Sequence, residues 1–167
     1  MIKTSVTAPS SEVISKHIFA DVILNTETNQ KALFSAVAFQ PGDVITKFFA
    51  DKIQKYATYL TVQTGTNRHI TLKPDILQYI NHCCTPNAFF DTTGMELVCL
   101  QPIQPGDEIT FFYPSTEWEM AQPFVCNCGT AACIQLINGA SHLSVDTLSK
   151  YKLTDFIRQQ VKQKLFL

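Results

Sequence analysis

Hydrophobic and polar positions alternate along this chain in short runs, and Gly, Pro, Asn and Asp cut the runs apart, which is the pattern of many short strands. His17 to Leu24 is apolar and β-branched, the polar run Asn25 to Asn29 breaks it, and Ala32 to Phe39 resumes it. Lys52 to Val62 predicts a further pair of short strands with Tyr56 and Tyr59 as aromatic anchors, and Thr64 to Asn67 turns the chain before His69 to Thr71. Pro74 opens a brief turn or helical stretch that leads into Tyr79. After Asn87 the run AFFD, a Thr-Thr-Gly turn and MELVCL predict a hairpin, with Cys99 as a small buried hydrophobe. Helical period occurs only at the end. Leu153, Phe156, Ile157, Val161 and Leu165, with Lys and Gln between them, predict a helix from Leu153 to Phe166 packed on a mainly β domain.

One nine-residue pattern occurs twice. Gln40 to Phe48 (QPGDVITKF) is echoed by Gln104 to Phe112 (QPGDEITFF). Each copy puts Pro-Gly where a type II turn takes Pro at its second position and Gly at its third, and each then enters a strand.

With 167 residues, the chain reads as one domain with a short appendage, long enough to bury roughly two thirds of its unfolded surface. Charged residues make up 16% and the net charge is −1, so neither a disordered tail nor an electrostatic footprint for nucleic acid is present, and direct nucleic-acid binding is not expected. Residues 1–13 (MIKTSVTAPSSEV) contain no apolar core of signal-peptide length, and no run approaches the ~18 apolar residues of a membrane span. These features predict a soluble intracellular protein with no membrane segment; they set no oligomeric state. In a reducing compartment the six cysteines point to metal more than to disulfides, because five of them cluster at positions 83, 84, 126, 128 and 133.

Cys126, Cys128 and Cys133 bring three thiols onto one compact loop, with Gly129 available for the tight reversal. A structural zinc takes four such ligands in a tetrahedron, so the loop is one ligand short. Three candidates for the fourth, His82, Cys83 and Cys84, stand together in the stretch Tyr79 to Asn87 (YINHCCTPN).

These motifs resemble those of SET-domain protein-lysine methyltransferases. NHCCTPN is similar to the family's Asn-His-Ser-Cys-x-Pro-Asn signature, GDEITFFY to its Gly-Glu-Glu-Leu-Thr-Phe-Asp-Tyr strand, and Cys126 to Cys133 to its post-SET zinc loop, in the family's order. With ALFSA and DVITKFF the resemblance covers residues 30 to 136. It implies a SET-type fold of small curved β-sheets (β-clip) with a pseudoknot-like site, a C-terminal post-SET zinc loop and a terminal α-helix. The implied division is residues 1–122 as the SET domain, 123–137 as the zinc-binding loop and 138–167 as a helical extension. It further implies S-adenosylmethionine as cofactor, contacted by Asn81 and His82, with Tyr59 lining its site and Asn29 and Lys31 flanking it. Tyr113 matches the catalytic tyrosine where cofactor and lysine channel meet, Phe48 and Phe111 fall at channel positions, and Cys84 is the implied fourth zinc ligand beside Cys126, Cys128 and Cys133. The implied partner is a protein or peptide bearing a lysine.

The chemistry that follows is methyl transfer to a lysine ε-amine. The amine, with an ordinary pKa of about 10.4, must lose its proton first, and an apolar channel favours the neutral form. Rate then comes from alignment, and no acidic residue is placed by a motif to act as base. Phe111, where the family carries Phe or Tyr, leaves room for an already methylated amine to turn, so di- or trimethylation is expected. Six positions depart from the family pattern: Gln30 and Ala32 of Gln30-Lys31-Ala32 replace the glycines of Gly-x-Gly, Phe48 a tyrosine, Ala50 a glycine, Gln78 an arginine and Phe112 an aspartate. A second reading of the same residues is a catalytically silent SET fold that binds a peptide or protein; the Gln30-Lys31-Ala32 segment separates the two.

Overall fold

The computed structural model describes residues 10–166. Residues 1–9, part of the stretch without a signal-peptide core, lie outside the described residues. Short strands form four small sheets, and helix is confined to short turns and the C-terminal region, as the polar and apolar pattern predicts.

The first sheet is antiparallel, with strands β1 (Ser11–Lys16), β2 (Ala20–Asn25) and β3 (Gln30–Ser35) in that order. The polar run between β2 and β3 is a hairpin turn. The Asn25 side-chain oxygen accepts the N–H groups of Glu27 (2.9 Å) and Thr28 (3.0 Å), and Asn29 takes the left-handed φ of 57° that closes it. Gln30, Lys31 and Ala32 are therefore regular strand, paired to Asn25, Leu24 and Ile23, and not a loop that needs glycine. The conformational demand falls instead on Asn29, a residue type that tolerates the left-handed region. Strand β1 is a correction to the sequence reading. SEVISK lies at the sheet edge with nearly every side chain exposed, so no apolar stripe marks it, and His17 to Phe19 is the turn that joins it to β2.

The second sheet has the order β5 (Phe49–Gln54), β7 (Arg68–Lys73), β6 (Thr61–Gly65). Its core side is Val62, Ile70 and Leu72. Tyr56 and Tyr59 do not anchor it. They lie in the connection between β5 and β6 and are 80% and 75% exposed, because the chain there has left the sheet before either ring could turn inward.

The largest sheet runs β4 (Val44–Lys47), β10 (Glu96–Cys99), β9 (Ala88–Asp91), β11 (Thr110–Phe111), β8 (Asn81–His82). The repeated turn motif builds both of its approaches. In each copy the Asp N–H returns to the Gln carbonyl at 3.0 Å, the Asp carboxylate accepts from the Gln N–H, and the Gly takes a positive φ, 95° at Gly42 and 92° at Gly106. The residues just before the two turns, Phe39 and Ile103, pair with each other, so the echo is a structural one.

Strand β11 then enters between β8 and β9, parallel to both. Since β8 and β9 are consecutive in the chain, residues 83–87 pass around β11 and the crossing is pseudoknot-like. Asn87 holds it: its side chain donates to the Glu108 carbonyl (2.8 Å) and accepts the Thr110 N–H (2.9 Å).

The C-terminal region adds the pair β12 (Phe124–Val125) and β13 (Leu136–Ile137), then a single helical turn α1 (Val145–Leu148) and the helix α2 (Asp155–Leu165). Thr154 caps α2 through the Ile157 N–H, and Ile157 is the fully buried member of its apolar stripe, whereas Leu165 is exposed. Among the described residues no helix is long and apolar enough to cross a membrane.

Gly139 sets how closely this region docks. At φ 105° and ψ 167° it occupies a region open essentially to glycine, and a Cβ would stand 2.5 Å from the Trp118 carbonyl oxygen. Gly139→Ala is expected to cost about 3 kcal/mol or more in urea unfolding of the metal-loaded protein. Gly42→Ala, with open space around its Cβ, is expected to cost only the left-handed strain of about 1–2 kcal/mol.

Candidate functional site

Strand β11 leads directly into a single 3-10 turn, Tyr113–Ser115, and this puts Tyr113 where three structures meet: the largest sheet, a cleft, and the cysteine cluster. The Tyr113 hydroxyl donates to the Ile80 carbonyl at 3.2 Å, and burial pushes the phenol up to about 12, so it stays neutral. Its ring is 4.7 Å from Phe111, which in turn packs edge-on against Phe90.

The cleft has a volume of about 440 Å³. Leu77, Ile80, Phe90 and Phe111 form apolar wall, Tyr59 and Phe124 add two more aromatic rings, and Asn81, Tyr113 and Glu117 are among the polar groups that line it. Of the sequence-predicted residues, then, Tyr59, Asn81, Phe111 and Tyr113 line one space. Tyr59 is there as an exposed rim residue. Phe48 lies behind, in edge contact with Phe90 at 5.3 Å, and is not among the lining residues. Asn29 sits at the β2–β3 turn, and Lys31 extends over the Tyr79 ring at 5.2 Å. Asn81 ties that edge to the crossing, since its amide nitrogen reaches both the Lys31 carbonyl (3.3 Å) and the Glu108 carboxylate (3.0 Å).

His82 connects the cleft residues to the cysteines. Its Nδ1 accepts the Tyr113 backbone N–H at 3.1 Å, which leaves the proton on Nε2, 3.2 Å from the Cys84 sulfur. Burial pushes its pKa down to about 4, so the ring is neutral. His82 is thus a support for both Tyr113 and Cys84.

The sulfurs of Cys84, Cys126, Cys128 and Cys133 all lie within 4.8 Å of one another, with Cys84 and Cys126 at 4.0 Å. A tetrahedron of metal–sulfur bonds of about 2.3 Å has edges of about 3.8 Å, so the set fits one ion with small adjustment. Burial pushes the Cys84 thiol up, and pushes Cys126 up to about 11, with neighbouring cysteine thiols adding to both shifts; a bound cation relieves that cost. The N–H groups of Ile134 and Cys128 point at the sulfurs of Cys84 and Cys126, each at 3.4 Å.

Phe112, where the family pattern has aspartate, is explained by the C-terminal region. Its ring stacks on Tyr151 at 3.6 Å with 4° between planes, and it is buried together with Ala140, Leu148 and Ile157. The Tyr151 hydroxyl donates onward to the Cys84 carbonyl at 2.9 Å. An aspartate at 112 would place a charge inside that apolar cluster.

Glu117 escapes the sequence reading. It is 7% exposed, yet lines the cleft. Its Oε1 accepts the Gln63 N–H (2.9 Å) and the Thr116 hydroxyl (3.1 Å), while the Gln63 side-chain oxygen accepts the Trp118 N–H (2.9 Å), so β6 is stapled to the segment after Tyr113. Burial pushes its pKa from 4.5 up to about 7, against the pull of those hydrogen bonds. The sequence offered little signal, since Glu117 and Glu119 flank Trp118 alike and only the fold buries the first of them.

This geometry defines a mainly β protein in which a neutral buried tyrosine, at the end of an inserted strand, packs between a cleft and a metal-competent cysteine cluster. A family model described as SET domain matches residues 2–114, more than half of the chain, and the chain belongs to the SET-domain family. Among curated relatives, a protein named methyltransferase flvH from Aspergillus flavus is 39% identical over 132 residues, 78% of this chain and 74% of that protein. A Saccharomyces cerevisiae protein named histone-lysine N-methyltransferase, H3 lysine-36 specific, is 27% identical over 107 residues, 60% of this chain but 14% of its own length. Histone-lysine N-methyltransferase set9 of Schizosaccharomyces pombe is 36% identical over 69 residues, 40% of this chain and 15% of that protein.

Two outcomes are expected. Metal analysis by mass spectrometry gives one ion per chain, lost in Cys84→Ser and Cys126→Ser and kept in Cys83→Ser. For Glu117, the folded pKa lies above the ordinary value, so the native state binds more protons than the unfolded chain between pH 4.5 and about 7, and the stability this group contributes falls as pH rises through that window. Glu117→Gln removes the fall. Urea midpoints compared at about pH 5 and about pH 8 should show the variant gaining on the wild type by up to about 3 kcal/mol at the higher pH.

Proposed function

We propose that this chain methylates the ε-amine of a protein lysine, with S-adenosylmethionine as methyl donor and zinc in the cysteine cluster. The observation that carries the reading is the placement of Tyr113, whose neutral hydroxyl is fixed on the Ile80 carbonyl at the wall of an apolar cleft. The names of the relatives support the reaction class, and for two of them a histone lysine as substrate.

The cleft volume of about 440 Å³ lies in the ordinary range of small-molecule sites, about 300–1,000 Å³, so the lining residues fit a bound donor. S-adenosylmethionine would supply an electrophilic sulfonium methyl group. Tyr59, Asn81 and His82 are the residues proposed to hold it, with Asn29 and Lys31 flanking from the β2–β3 hairpin. Tyr113 positions the reacting groups: its proton is committed to Ile80, which leaves the phenol oxygen lone pairs free for weak CH···O contacts. The apolar wall of Leu77, Phe90 and Phe111 disfavours a charged amine, so the neutral nucleophile forms more readily there. Phe111 offers no hydroxyl to crowd that amine, which supports di- or trimethylation, and Phe48 shapes the channel from behind Phe90.

Four thiolates are a soft tetrahedral set that suits zinc. In this reading, residues 1–122 form the catalytic domain, 123–137 the zinc loop, and 138–167 an extension that packs on Phe112.

Calorimetric titration of S-adenosylmethionine into zinc-loaded protein should give micromolar affinity, nearly unchanged in Tyr113→Phe, while methyl transfer to lysine peptides falls by about 10²-fold in that variant. Absence of donor binding to folded, zinc-loaded protein would overturn the reading. Phe111→Tyr should shift the products toward monomethyl-lysine by mass spectrometry.

A further inference from the structure

Among the described residues that line the cleft, Glu117 alone carries a formal charge. None of those lining residues is Lys, Arg or His; the titratable neighbours among them are the phenols of Tyr113 and Tyr59. β6 presents Gln63 and Thr61, and the backbone of Gly139 and Ala140 packs behind, with the Ala140 N–H donating to the Glu117 carbonyl at 2.9 Å. The carboxylate is also lopsided. Oε1 accepts both the Gln63 backbone N–H and the Thr116 hydroxyl, and among the described residues no hydrogen bond reaches Oε2. A nearly buried carboxylate with one committed oxygen and one oxygen left to accept, in a cleft walled by aromatic rings, offers a counter-charge to a cation.

We propose that Glu117 is the counter-charge that captures the alkylammonium group of the substrate in this cleft and accepts the proton that group must lose. The inference rests on the methyltransferase reading and deepens it. In the step, one N–H bond of the ammonium breaks, its electron pair stays on nitrogen, and the proton moves to Oε2, giving a neutral amine and a neutral carboxylic acid. The proton then leaves to water at the open mouth of the cleft. The raised pKa of Glu117 fits a group that is charged when a cation arrives and stable as the neutral acid afterward. The staple to Gln63 and Trp118 holds the side chain in place, so its geometry does not depend on substrate.

The test uses the zinc-loaded full chain as wild type, Glu117→Gln and Glu117→Asp. The first readout is binding of n-butylammonium chloride, with n-butanol as the uncharged control, followed by NMR shifts at Tyr113 and Trp118. The wild type should bind the cation and not the alcohol, more weakly as pH falls below about 7, and the Gln variant should bind at least ~10-fold more weakly while still unfolding in one cooperative urea transition, at a midpoint no lower than the wild type's above pH 7. The second readout is methyl transfer to a lysine-bearing peptide and to n-butylamine. The Gln variant should lose kcat/KM on whichever amine the wild type accepts, with the acidic limb of the pH profile abolished, and Glu117→Asp should restore part of it. Turnover of the peptide alone or of the free amine alone identifies the source of the ammonium, and either supports the proposal. Glu117-dependent binding of n-butylammonium without any methyl transfer by the wild type would sink the methyltransferase reading and leave the cation site standing. Wild-type methyl transfer with unchanged butylammonium affinity, KM and pH profile in Glu117→Gln overturns the proposal and leaves the enzyme reading intact.

Discussion

The carboxamide of Asn87 keeps a two-residue strand in a slot between two neighbours that the chain lays down earlier. That constraint has wide reach. β11 is too short to persist by its own pairing, with two residues against β8 and one against β9. Yet its exit defines the position of Tyr113, the N–H that His82 accepts, and the turn that aims Glu117 at the cleft. A slip of one residue in β11 would exchange Phe111 and Phe112 between the core side and the C-terminal cluster and turn Tyr113 away from the Ile80 carbonyl.

The cysteine cluster is coupled to the cleft through hydrogen bonds. His82 shares its two nitrogens between the Tyr113 N–H and the Cys84 sulfur, and Tyr151 fixes the Cys84 carbonyl from the other side. Loading the cluster therefore bears on the tyrosine through one imidazole, while the C-terminal region bears on it through the stack of Phe112 and Tyr151. The cysteine cluster and the C-terminal region thus bear on the same short strand.

What was legible in the sequence was whatever is locally encoded. The paired Pro-Gly turns could be read because turn chemistry depends on four adjacent residues, and three of the cluster cysteines because their spacing is close. The α2 stripe was legible for the same reason. β1 was not, since an exposed edge strand carries no alternation, and Tyr56 and Tyr59 misled because aromatic residues suit strands by propensity whether or not the chain there remains in a sheet. Gln30-Lys31-Ala32 read as a loop lacking its glycines, whereas the one left-handed residue is Asn29. The insertion of β11 was implied by resemblance and not by pattern, and Glu117 was invisible because its burial is set by β6, fifty-four positions earlier through Gln63.

The slot has a temporal side. During synthesis β8 and β9 emerge some twenty residues before the strand that separates them, and Cys84 emerges forty-two residues before Cys126 and sixty-seven before Tyr151. A nascent chain that ends near Asp107 has the β11-facing edges of β8 and β9 unpaired, and the five residues 83–87 are too few to let the two parallel strands pair with each other. Completion of the largest sheet, and with it the cleft wall, therefore waits on synthesis of Thr110 and Phe111, and closure of the cysteine cluster waits on Cys133.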